Sequence, residues 1–186
     1  DDSSLIFNQF LEILRHNVVS DKPNAFNKIF TLFLCKVYDE KTTKPNEELK
    51  FQWIEGKDTS KGENAYVDFL IRLSDLYKNG MLEFLEKEIT DFSEVDFERK
   101  YKHLDDTVKK DLLREFNKIR LEKNNEFAIK EVFDKQSFLE NGKIVKEVVE
   151  LLQGFRIRYN KRQQYLSNFF ELLLTTGLKQ ESGQFF

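Results

Sequence analysis

The chain has 186 residues, with 30 Lys+Arg against 33 Asp+Glu for a formal net charge of −3, a mildly acidic total that does not by itself advertise a nucleic-acid binder. Only 7 Gly and 2 Pro accompany 19 Phe, and so few chain breakers exclude a turn-rich β-sandwich or barrel in favour of an all-α domain. A single cysteine, Cys35, excludes a disulfide framework and any Cys-rich zinc site and fits a reducing cytosol, while no run of about 18 uncharged apolar residues exists to span a membrane.

Apolar periodicity orders the chain into helices. Leu5, Ile6, Phe10, Ile13 and Leu14 predict a first helix ending near His16. Ser20 or Asp21 then caps a second helix, with Pro23 in its first turn where a missing N–H costs nothing. That helix carries Phe26, Ile29, Phe30, Phe33, Leu34, Val37 and Tyr38, a stripe wide enough for nearly all of it to be buried. Leu49 to Ile54 alternates at period two, which predicts a short strand, extended segment or hairpin-like insert. Lys57 to Gly62 reads as an exposed loop.

A third helix holds Tyr66, Phe69, Leu70, Leu73, Leu76 and Tyr77, and Asn79-Gly80 is expected to stop or kink it before Met81. From Ser93 to Asn124, Phe97, Tyr101, Leu104, Val108, Leu112, Phe116 and Ile119 fit one long helix or two. A shorter helix is expected over Phe127, Ile129, Val132 and Phe133. Ser137-Phe138-Leu139-Glu140 matches a capping box ahead of Ile144, Val145, Val148, Val149 and Leu152, with Gly154 as the stop. The last helix is expected from Asn160 to Thr176, with Gly177 just past its end. The whole reads as one helical domain with a small insert around residues 49–54.

Residues for self-contained catalysis are scarce. His16 and His103 lie far apart in the chain with no second histidine one turn from either, and His16 near a helix end reads as a capping group. Cys35, inside the most apolar helix, reads as a buried inert thiol. Neither G-x-G-x-x-G nor G-x-x-x-x-G-K-[ST] occurs. One strip breaks the acidic balance. Phe155 to Arg162 carries Arg156, Arg158, Lys161 and Arg162 with no acidic residue, so it either neutralises phosphates or pairs with neighbours such as Glu147 and Glu150. The aromatic insert at Phe51, Trp53 and Ile54 is the alternative candidate, an exposed anchor for a protein partner. The start lacks a Met and the end is Phe185-Phe186, which suggests a piece of something longer; docking of an apolar tail onto the helices is the other reading of that end.

Thr175-Thr176-Gly177 followed by Ser182-Gly183-Gln184-Phe185-Phe186 resembles the T-G…G-Q-F-F-T-P junction of N6-adenine DNA methyltransferases, notably modification subunits of type I restriction-modification systems and related fused enzymes. Ala25 to Glu40 looks like the F-L-K-x-Y-D-E helix of that family, and Leu49-Lys50-Phe51-Gln52-Trp53 like the extended segment that follows it. The resemblance implies an N-terminal helical domain over residues 1–178 and the first residues of a catalytic domain over 179–186. It implies that Gly183, Gln184, Phe185 and Phe186 form one edge of an S-adenosylmethionine pocket in the parent protein only. The later D-P-x-x-G-x-G-type loop and the N-P-P-[FY] motif, which in the family act on a flipped adenine, are absent, so this stretch alone is expected to be inactive. The implied partners are double-stranded DNA, a specificity subunit or domain and a second modification subunit. Arg156, Arg158, Lys161 and Arg162 are then the expected contacts to the DNA backbone.

Overall fold

The computed structural model describes residues 2–86, 94–123, 126–156 and 160–181. These form α1 (Asp2–His16), α2 (Lys22–Thr42), α3 (Val67–Leu85), α4 (Glu94–Lys100), α5 (Asp106–Lys123), α6 (Lys135–Gln153) and α7 (Asn160–Glu181). The described residues contain no strand, only an isolated bridge between Glu55 and Asp58, so the domain is all-α as its composition predicts. Helix α2 packs on α3 and α7, α1 on α6 and α7, and α5 on α3.

The helices form where the spacing says they should. Ile6, Phe10 and Leu14 lie four residues apart on one face of α1 and are buried. Phe10 meets Phe26 of α2 at 5.8 Å and Phe169 of α7 at 6.2 Å between ring centroids, the second pair edge-on. Each such ring contributes roughly 1.5–3 kcal/mol by leaving water. Helix α6 adds a fully buried stripe of Ile144, Val145, Val148, Val149 and Leu152. Asp21 caps α2 by accepting from the Asn24 N–H at 3.1 Å, with Pro23 in the first turn.

Helix α1 closes with a Schellman pattern: the Val18 N–H donates to Arg15 O at 3.0 Å and the Val19 N–H to Leu14 O at 2.9 Å. The position that favours glycine there is occupied by Val18 at φ 57°.

Several expectations need correction. The 49–54 insert alternates as predicted, with Leu49, Phe51 and Trp53 turned inward, yet it is no strand or hairpin. Its backbone is held by side chains instead of a ladder: Phe51 N–H donates to Asp39, Trp53 N–H to Gln153 Oε1 and Ile54 N–H to Asp58 Oδ2. Phe51 and Trp53 are buried, so they are not an exposed anchor, and Ile54 is half-buried. Gly80 does not stop α3, which runs on to Leu85. The glycine is there for proximity, since a Cβ at that position would lie 3.3 Å from Tyr38 Cβ. Gly142 of α6 is tighter still, for a Cβ would sit 2.6 Å from the Tyr66 ring.

Over the described residues 94–123 the stretch divides into α4 and α5, with Phe97 of α4 packed against Tyr101 just after it and edge-on to Phe116 of α5. No helix forms at 127–133. Asn141 holds that segment open by donating to Phe127 O at 2.9 Å and accepting from the Lys130 N–H at 3.0 Å. The cap of α6 is Asp134, three residues ahead of the expected Ser137, and the two exchange bonds reciprocally. Gly177 lies within α7, which continues to Glu181 because a single glycine costs a helix only about 1 kcal/mol. On α2, Phe30, Phe33, Leu34, Val37 and Tyr38 are only half-buried, so the apolar stripe is wider than the surface its neighbours cover.

Candidate functional site on the second helix

The register that buries α2 also buries charge. Ala25, Ile29, Leu32, Lys36 and Asp39 follow one stripe at spacings of three and four, and Glu40 flanks it. Lys36 and Asp39 are each 1% exposed and Glu40 8%. Three ionisable side chains in adjacent turns of a core helix are expensive unless their polar atoms find partners.

Asp39 is well supplied. Its Oδ2 accepts from the Phe51 N–H at 2.7 Å and its Oδ1 from the Thr43 hydroxyl at 2.9 Å. The Lys36 Nζ lies 4.0 Å from Glu40 Oε1 and 5.5 Å from the centroid of the Phe51 ring. Burial pulls the Lys36 ammonium down to about 8, the Glu40 carboxylate opposes this, and the positive charge of Arg156 pushes the same way as burial. The cluster therefore joins α2 to the 49–54 segment and feels the arginine that follows α6.

A second ion pair completes the anchoring of that segment. Asp58 has a fully buried side chain and receives Arg72 of α3 in a forked arrangement, Nη1 to Oδ1 at 3.0 Å and Nη2 to Oδ2 at 2.6 Å. Arg72 also donates from Nε to Lys50 O at 2.9 Å and from Nη2 to Gln52 O at 2.8 Å. The 57–62 loop is exposed as expected except at Asp58, which it hides. Trp53 packs 5.1 Å from Phe69 and 5.9 Å from Tyr66, with the Lys146 ammonium 4.4 Å from its ring centroid and its Nε1–H donating to Glu55 at 3.0 Å.

Of the four basic-strip residues, Arg156 is half-buried at the end of α6, where its charge reaches Lys36. Arg158 lies outside the described residues, and so do the side chains of Lys161 and Arg162, whose backbone forms the first turn of α7. Glu147 faces α1, accepting from Asn17 Nδ2 at 2.8 Å. The expected cofactor-edge residues Gly183, Gln184, Phe185 and Phe186 also lie outside the described residues.

Elsewhere, Cys35 is fully buried with its Sγ 3.6 Å from Leu73 O, and burial drives its thiol far above the ordinary range. His16 ends α1 and is exposed. Among the described residues no three His, Cys, Asp or Glu side chains gather as a metal site, and no helix is long and apolar enough to cross a membrane. An apolar groove of about 380 Å³ opens between Phe30, Phe33, Leu34 and Val37 of α2, Phe84 of α3, and Phe170 and Leu174 of α7. No family model, curated protein or solved structure matches this chain.

Proposed function

We propose that the chain is the N-terminal helical domain of a restriction-modification DNA adenine-N6 methyltransferase subunit, which helps to clamp double-stranded DNA and contacts the specificity subunit. Catalysis belongs to the parent protein, where S-adenosylmethionine supplies the methyl group. Gly183, Gln184, Phe185 and Phe186 contribute one edge of its pocket, and the remaining motifs lie beyond this sequence. The cellular setting in this reading is the cytoplasm.

The observation that carries the reading is the bond between Asp39 and the Phe51 N–H at 2.7 Å. The two segments that resemble the methyltransferase family, residues 25–40 and 49–53, are separated in sequence and meet at that bond. Asp39 thereby fixes the segment that follows α2. This accounts for a buried Asp39 on a helix whose inward residues, Lys36 and Glu40 apart, are otherwise apolar. The competing reading, a free-standing adaptor, would rest on an exposed aromatic insert, and the burial of Phe51 and Trp53 removes that support.

The strip at Arg156, Arg158, Lys161 and Arg162 is then the surface for DNA phosphates, reading charge and not sequence. The test is Arg158→Glu/Arg162→Glu in the full-length protein assembled with its specificity subunit. Affinity is expected to fall equally for cognate and unrelated duplexes, and the salt dependence to flatten by about two phosphate contacts. Unchanged affinity and salt slope in a folded double variant would show that the strip does not touch DNA.

A further inference from the structure

No further inference is drawn: the strongest candidate, the apolar groove where Phe30, Phe33, Leu34 and Val37 of α2 face Phe84 of α3 and Phe170 of α7, is an unpartnered face, and nothing in the structure shows what covers it.

Discussion

Asp39→Ala removes a buried carboxylate that accepts from the Phe51 N–H at 2.7 Å and from the Thr43 hydroxyl at 2.9 Å. A hydrogen bond to a charged group is worth about 1.5–3 kcal/mol, and an orphaned buried donor keeps its full desolvation penalty. The Thr43 hydroxyl is only partly buried and can turn to water, so most of the loss comes from Phe51, and a destabilisation of about 3–4 kcal/mol follows. For a chain of this size, each kcal/mol moves Tm by about 2–4 °C, giving a fall of roughly 6–16 °C. Asp39→Asn keeps an acceptor for the Phe51 N–H and is expected to lose about half as much. Chemical denaturation of the three proteins gives the energies, and amide hydrogen exchange at Phe51 locates them. Exchange should quicken in the alanine variant and stay slow in the asparagine variant. An alanine variant within 0.5 kcal/mol of wild type, with Phe51 still protected, would refute the anchoring role of Asp39.

The Lys36 ammonium loses its proton at about 8 in the folded chain and from 10.5 in the unfolded one, so between those values the unfolded state binds more protons and stability rises with pH. The unfolding free energy of wild type relative to Lys36→Met is expected to climb by up to about 3 kcal/mol across that window; a flat or falling difference would mean that Lys36 stays charged in the fold. Val18 holds φ 57° and is 76% exposed, so Val18→Gly relieves left-handed strain of about 1–2 kcal/mol while adding about 0.5–1 kcal/mol of chain entropy to the unfolded state. The net of 0 to about 1.5 kcal/mol predicts a Tm gain of up to about 6 °C in a thermal melt, and a loss would mean that the left-handed strain at Val18 is smaller than the chain entropy that glycine adds.

The elements that the sequence displays most openly are those stabilised by local rules. The faces of α1 and α6 follow from apolar spacing, and the start of α2 follows from Asp21 and Pro23. What spacing does not display is a side chain that reaches across the chain to do a backbone's work. Asn141 holds 127–130 out of a helix, and Arg72 with Asp58 ties down a segment that alternation alone makes look like a strand. Glycine is ambiguous for a similar reason. Gly80 reads locally as a breaker, and only the approach of Tyr38 shows it to be a contact position.

The buried cluster escapes the sequence reading, because the stripe of Phe30, Phe33, Leu34, Val37 and Tyr38 draws the eye to the adjoining, half-buried face of α2. Lys36 and Asp39 continue the register of Ala25, Ile29 and Leu32, so their inward position follows from counting residues along α2. Charge alone points the other way, because a helix with several Lys, Asp and Glu ordinarily turns them to water. The acceptor's partner, a backbone N–H twelve residues away, has no sequence signature at all.

The most direct test of the proposed role is methyl transfer by the full-length protein with its specificity subunit. With labelled S-adenosylmethionine and duplex DNA, label is expected at adenine N6, dependent on the specificity subunit and absent with residues 1–186 alone. A full-length protein that transfers no methyl group to DNA, with the specificity subunit present and both partners folded, would contradict that role.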